Sequence, residues 1–200
     1  MPALILASGS PARLRLLRDA GLDPLVVVSG ADETNDAGLP TASLVAELAR
    51  RKATAVAAER PEALVLGCDS MLDLDGEALG KPATAAEAAA VWRRLAGREG
   101  TLYTGHWLIA PGQQASGVAA TTIRFGSPSD AEIAAYVATG EPLSLAGSFS
   151  IDGRAAPFVD GIDGDHGNVI GLSLPLLRRL LAEVGIAITD LWRPAPAGTG

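Results

Sequence analysis

The sequence predicts a mixed α/β (α+β) chain built on a central mixed sheet with flanking helices. Two observations carry this. In the first half, short unbroken apolar runs alternate with amphipathic helical stretches, the pattern of strands covered on both faces. The second half is richer in strand patterns, which turns a purely alternating arrangement into a mixed one. At 200 residues the chain can bury one substantial core, or two modest lobes sharing a sheet. No repeat or linker divides it, so residues 1–190 are expected to form one domain. The Pro-Ala-Gly composition of residues 191–200 predicts a disordered tail.

Residues 4–7 read as a first buried strand. Ser8-Gly9-Ser10 then turns the chain into a helix, with Ser10 as N-cap and Pro11 in the favoured first position. Leu14 and Leu17 mark its inner face and Gly21 ends it. Its charges oppose the helix dipole. Arg13 stands in the first turn, Arg15 just beyond it and Asp19 in the last, each misplacement costing about 0.3–1 kcal/mol on an exposed helix. An anion on the free N–H groups of this terminus would reverse that sign, and phosphate is the usual guest; an unoptimised surface helix is the plain alternative. Residues 25–28 form a second strand, followed by a polar loop carrying Asp32, Glu33 and Asp36. Residues 41–59 form a helix with an apolar stripe of Leu44, Leu48 and Val56. Lys52 falls on that stripe, so its ammonium must either snorkel to solvent or meet an anion.

Residues 63–82 hold the candidate chemistry. An apolar run at 63–66 ends at Gly67 and delivers Cys68, Asp69 and Ser70 at a strand's carboxyl end, where open α/β sheets keep their ligands. Residues 71–74 and 77–79 flank Asp75-Gly76, a strong two-residue hairpin signal. The hairpin returns the chain to Lys81, which the pattern brings beside Asp69. That pair suits a metal-bound polyphosphate or, more plainly, is a surface ion pair. Thr84 and Glu87 open a helix to Leu95, closed by Gly97. Residues 101–110 and 116–125 are a strand pair joined around Pro111-Gly112. Ser129 and Glu132 cap a helix at 130–139. Strands at 145–151 and 158–162 and a last helix at 175–184 complete the chain.

Composition excludes several functions. The chain is 48% hydrophobic but only 4% aromatic, so Ala, Val, Leu and Ile must build the core. A net charge of −7 argues against nucleic acid as a partner, which needs a basic face. No apolar segment approaches the roughly 20 residues of a membrane span, and the first 20 residues lack a signal-peptide pattern. A lone cysteine fits a reducing cytoplasm. Gly76 to Lys81 has one residue too few, and a following proline, for a P-loop. Ser8-Gly9-Ser10 lacks the three-glycine spacing of a dinucleotide fingerprint, and Asp160, Asp163 and Asp165 miss EF-hand spacing. His106 and His166 stand apart from any zinc pattern, and Cys68 reads as a buried strand residue. Fourteen of the sixteen basic residues are Arg, so the only two lysines, Lys52 and Lys81, suggest places where a compact point charge matters.

These residues resemble the Maf family of nucleoside triphosphate pyrophosphatases. The resemblance lies in Leu4-Ile-Leu-Ala-Ser-Gly-Ser-Pro-Ala-Arg13, Leu48-Ala-Arg-Arg-Lys52-Ala, Gly67-Cys-Asp-Ser-Met, Leu79-Gly-Lys81-Pro, Tyr103-Thr-Gly, Glu141-Pro-Leu-Ser-Leu-Ala-Gly and Asn168-Val-Ile-Gly-Leu-Ser-Leu-Pro175. It implies an inosine triphosphatase-like fold with two lobes around a cleft. It also implies hydrolysis of a nucleoside triphosphate to monophosphate and pyrophosphate with a divalent cation, Mg²⁺ or Mn²⁺. By position, Asp69 matches the catalytic carboxylate, with Glu33 as its metal-associated companion. Ser8, Ser10, Arg13, Lys52 and Lys81 match the phosphate-binding groups, and Ser70 and Asp152 the positions that choose the base. A cytoplasmic enzyme of the nucleotide pool is implied, with a link to cell-division arrest and a homodimer admitted as an assembly.

The chain departs from the family pattern at Ala12, where Arg is common, and at Leu145, where Lys is common. Ser70 and Asp152 also differ from the usual choices, so the base preference of the better-known branches does not transfer. Two rival readings stand beside the enzyme: a nucleotide-binding regulator of cell division with incidental hydrolysis, and a phosphohydrolase releasing inorganic phosphate.

Overall fold

The computed structural model describes residues 3–34 and 38–193. Its centre is a seven-stranded mixed sheet. Leu4–Leu6 (β1) pairs in parallel with Leu25–Val26 (β2) on one side and with the start of Leu64–Leu74 (β3) on the other. The remaining ladders are antiparallel. Glu77–Leu79 (β4) folds back on the end of β3, Glu99–Ala110 (β5) pairs along β3, and Gln113–Phe125 (β6) and Val159–Asp163 (β7) follow in order. The β3–β4 turn has Asp75 and Gly76 at φ of 57° and 86°, which gives the predicted Asp-Gly hairpin its twist-matched geometry.

One edge of β3 is shared by two partners. β1 covers Leu64 to Leu66 and β4 covers Leu72 to Leu74, so residues 67–71 are paired on the β5 side alone. The sheet is therefore split at this point, and the split is the floor of the main cleft.

Helix Thr41–Glu59 (α2) covers one face of the sheet. It closes a small core of Ile5, Ala7, Ala53, Val56 and Val65. On the other face, Pro11–Asp19 (α1) and Leu174–Glu183 (α6) bury Leu17, Leu177, Leu180 and Leu181 against Leu64, Leu66 and Leu108. Further along that face, Ala85–Leu95 (α3) and Asp130–Ala138 (α4) enclose a second core around Leu72, Leu74, Leu102 and Ile123. The aliphatic core expected from composition is found only near β1. The second core gathers Trp92, Phe125, Tyr136 and Phe149, and Trp92 meets Phe125, Tyr136 and Phe158 edge-to-face at 5.5–6.0 Å. Such pairs add about 0.5–1.5 kcal/mol beyond area burial, and the Trp92 N–H donates to the Ser148 carbonyl at 2.8 Å.

α2 lies unusually close to the sheet, and two glycines are the reason. Gly67 on β3 sits under the Ala49 carbonyl and Ala53, and Gly105 on β5 sits under the Val45 carbonyl. Any Cβ at either position would collide with helix backbone. Gly67 thus does not end the strand, as the sequence suggests. β3 continues through Cys68, Asp69 and Ser70 to Leu74, and Asp69 stands mid-strand, directly opposite Gly105.

Other expectations also shift. Residues 145–151 are not a strand. Gly147 and Ser148 both have positive φ, 64° and 62°, which breaks extension, and the segment forms the 3₁₀ turns Glu141–Ser144 and Ala146–Ser148. A short helix His166–Ile170 (α5), capped by Asp165, has no sequence signal, because five residues show no period. α1 escapes most of its adverse charge, since the Arg13 side chain turns inward and Arg18 in the last turn is correctly placed for the dipole. Of the expected tail, residues 194–200 lie outside the described residues, as does Asp36. Leu191 closes a final 3₁₀ turn, Trp192 covers Gly21, and the Arg193 N–H donates to the Gly21 carbonyl at 2.9 Å. These contacts hold residues 191–193, the first three of the expected tail.

Two predictions follow from this packing. Gly105→Ala forces helix backbone off the sheet, and overpacking of this kind costs about 1–3 kcal/mol or more. Urea denaturation of the variant should show that loss, and an unchanged midpoint would mean that α2 retreats freely. His106, on β5, is fully buried. Its Nδ1–H faces the Thr104 carbonyl at 3.0 Å and its Nε2 accepts the Ser173 N–H at 2.9 Å, which fixes the neutral tautomer. Burial pushes its pKa down to about 4 from 6.5. Between those values the unfolded chain binds the extra proton, so this stability is complete above pH 6.5 and lost as pH falls toward 4, on the order of 3 kcal/mol. NMR should show a His106 ring that does not titrate above pH 5.

Candidate active site

The cleft of about 800 Å³ lies at the carboxyl end of β1 and over the open edge of β3. Successive strand residues point to opposite faces, so Asp69 turns toward α2 and Ser70 toward α1. Because the β3 edge is open there, groups on both faces of the sheet reach the same space.

On the α2 face, Lys52 is 7% exposed and does not snorkel. Its Nζ lies 2.6 Å from Asp69 Oδ1 and 3.0 Å from Glu33 Oε1. Asp69 is equally buried, while Glu33 comes from the loop after β2 and is mostly exposed. Two carboxylates therefore converge on one ammonium. This is the donor type that Mg²⁺ and Mn²⁺ take beside a nucleotide, one or two carboxylates completed by phosphate oxygens and water. Among the described residues no group of three or more His, Cys, Asp or Glu side chains stands together, so most of an ion's ligands would come from substrate and solvent.

On the opposite face, Arg13 is 9% exposed and fully extended into hydrogen bonds. Nε donates to the Gly171 carbonyl at 2.7 Å, Nη1 to Ser8 Oγ at 2.9 Å and Nη2 to Ser70 Oγ at 2.9 Å. All three acceptors are neutral, and among the described residues Arg13 has no carboxylate partner. Of its five N–H groups two remain. A nearly buried guanidinium in that state favours an anion. Ser10 supports it as the N-cap of α1, its Oγ accepting from the Arg13 backbone N–H, and Ser8 Oγ accepts the Ser10 N–H at 3.3 Å.

Ser8, Ser10, Arg13, Glu33, Lys52, Asp69, Ser70 and Lys81 all line the one cleft. Lys81 departs from expectation in one respect. The ammonium beside Asp69 is Lys52, not Lys81, which is exposed on the rim and has no ion pair among the described residues. β4 carries it back to the cleft but on the far side of the gap. Asp152 stands outside the lining. Its carboxylate pairs with Arg15 and accepts from Ser150, whose own residue does line the cleft. The charges on the wall are three cations against two carboxylates, one positive in excess on a chain of net charge −7. The rest of the wall mixes apolar side chains, among them Leu48, Leu102, Leu145, Phe149 and Val169, with the hydroxyls of Ser29, Ser144 and Ser150.

Sequence reasoning gave no role to Thr104, whose hydroxyl meets Ser70 Oγ at 2.9 Å, or to Gly171, whose carbonyl holds Arg13, although both fall in motifs that carry the resemblance. It took Gly105 only as part of the Tyr103-Thr-Gly motif and gave it no packing role. The available signal was an isolated glycine inside a strand pattern, which marks close approach of another backbone. Cys68 is as expected: burial pushes its thiol up to about 12, so it is inert.

Comparison with known proteins bears on this arrangement. The family model described as Maf-like protein matches residues 3–184. A nucleoside triphosphate pyrophosphatase of Streptomyces coelicolor is 64% identical over 197 residues, covering 96% of this chain and 95% of that protein. Proteins of the same name from Streptomyces avermitilis and Salinispora tropica are 62% and 53% identical, covering 96% and 94% of this chain and 95% and 87% of theirs. The Ham1 protein of Staphylococcus aureus aligns with a TM-score of 0.45 at 15% identity, over 62% of this chain and 72% of that one.

Arg13→Lys tests the anion reading. Lysine cannot reproduce three divergent donors, so the free protein should lose about 1–3 kcal/mol as buried acceptors go unpaired. Calorimetry should show triphosphate affinity falling as well. Intact affinity would mean that Arg13 serves the fold alone.

Proposed function

The chain belongs to the Maf-like family, and from that premise we propose that it hydrolyses a nucleoside triphosphate to the monophosphate and pyrophosphate in this cleft. The observation that carries the reading is the pairing of two features around one strand edge. A carboxylate is held beside an ammonium on one face of β3, and a nearly buried, carboxylate-free guanidinium lies on the other.

The residues divide the work as follows. Asp69 accepts the proton of the water that attacks the α-phosphorus. The bond from that phosphorus to the α–β bridging oxygen breaks, and pyrophosphate leaves with its electrons. Arg13, Lys81 and the Ser8–Ser10 turn at the start of α1 hold the leaving phosphates, and Lys52 offsets charge beside the reacting one. Asp69 and Glu33 would hold the divalent ion, Mg²⁺ or Mn²⁺, which supplies charge neutralisation and acidifies the attacking water. The apolar wall residues Leu102, Leu145, Phe149 and Val169 are suited to the base, and Ser70 is the polar β3 residue assigned to its selection. The departures at Ala12, Leu145, Ser70 and Asp152 leave the base preference specific to this chain. Every residue named comes from one protomer, so the chemistry requires no second copy. A buried free thiol and a nucleotide substrate fit the cytoplasm, and no helix among the described residues is long and apolar enough to cross a membrane.

Chromatography of the products tests the reaction: monophosphate and pyrophosphate are expected, and a diphosphate as first product would sink the assignment. Asp69→Asn tests the site. It keeps shape while removing the base and a metal ligand, and turnover should fall roughly 10²–10⁴-fold at saturating metal. Activity within about threefold of the parent would remove Asp69 from the mechanism.

A further inference from the structure

Glu33 stands on a segment with neither helix nor strand, yet its carboxylate reaches Lys52. Something must fix that segment relative to α2. The neighbour of Lys52 does so. Arg51 directs Nη1 at the carbonyl oxygens of Asp32 and Thr34, at 3.4 and 3.3 Å, the two residues that flank Glu33. Its Nε donates to Glu47 Oε1 at 2.9 Å, one helical turn earlier. Glu47 is held in turn by both guanidinium groups, Arg50 and Arg51, which bring its carboxyl down to about 2. Within the loop, Asp32 Oδ1 accepts the Thr34 N–H at 2.9 Å, so the backbone around Glu33 is already folded into a tight turn that the guanidinium clasps from outside.

We propose that Arg51, braced by Glu47, is a positioning residue that presents the Glu33 carboxylate to the cation site shared with Asp69. Consecutive residues of α2 thereby serve the two acids: Lys52 meets them directly, and Arg51 sets where one of them stands. The fork geometry matters. The two N–H bonds of Nη1 diverge to two carbonyls while Nε remains on Glu47, an arrangement a single ammonium does not reproduce.

This inference rests on the reading of Glu33 as a metal-associated acid, and the test separates the two. The probe is Mn²⁺, alone and with inorganic triphosphate, its binding followed by electron paramagnetic resonance on the full chain. Outer partners of metal ligands typically contribute 10–100-fold in affinity, so Arg51→Gln should weaken Mn²⁺ binding about 10-fold. The Mn²⁺ concentration for half-maximal turnover should rise in parallel, while turnover at saturating metal recovers to within about threefold. Glu33→Gln should weaken binding at least as much, and adding Arg51→Gln to it should change nothing further. If Glu33→Gln weakens Mn²⁺ binding and Arg51→Gln does not, the clasp has no positioning role. Additive losses in the double variant would mean that Arg51 acts elsewhere, and overturn the proposal too. If Glu33→Gln itself leaves Mn²⁺ binding unchanged, the metal reading of Glu33 falls and the inference falls with it. Should Arg51→Gln fail to fold, Arg51→Lys carries the same comparison.

Discussion

The structure depends on a contact made by missing atoms. At Gly67 and Gly105 the sheet presents no side chain, and the backbone of α2 settles directly on β3 and β5. These two positions border Asp69, one two residues before it on the strand and the other across the ladder. Lys52 lies between Ala49 and Ala53 on the same helix turn, so the close approach that seats those alanines also drives the ammonium onto the carboxylate. An ordinary residue at either glycine would push α2 away and open the ion pair to water. The spacing of Lys52 and Asp69 is thus a consequence of packing between secondary structures rather than of any local loop.

That spacing has an electrostatic cost. Two nearly buried charges lose hydration, and a buried pair of this type is weak support for stability. What it supplies is order: each charge fixes the other, with Glu33 as a third, solvent-facing member. On the opposite face the logic differs. Arg13 is held by a carbonyl and two hydroxyls, which satisfy its N–H groups without cancelling its charge. The fold therefore keeps one cation neutralised by carboxylates on the α2 face of β3 and another uncancelled on the opposite face.

Much of this was legible in the chain. The bounds of α2 came directly from its apolar period, and the placement of Lys52 on the stripe at Leu48 and Val56 already posed the question that Asp69 and Glu33 answer. The Ser10 cap, the Asp75-Gly76 turn and the Ser129 capping box rest on short-range chemistry and were readable for that reason. The failures were non-local. Gly67 looked like a strand end because a single sequence cannot show that a helix lies on top of it. Hairpin logic brings Lys81 to Asp69, whereas the nearer ammonium arrives from a helix, on Lys52 seventeen positions upstream of Asp69. The turns around Gly147 and Ser148 read as a strand because apolar residues there face a cleft wall and a core, not a sheet.

The split edge of β3 carries a consequence for solubility. A strand edge with free backbone groups is a template on which another chain can add, the usual start of edge-to-edge aggregation. Here the exposed stretch is only residues 67–71, stopped by β1 at one end and β4 at the other. A foreign strand entering it would have to bury its own ends against those neighbours and lie beside Asp69 and Lys52. An opening this short and this charged is a poor template for a polypeptide.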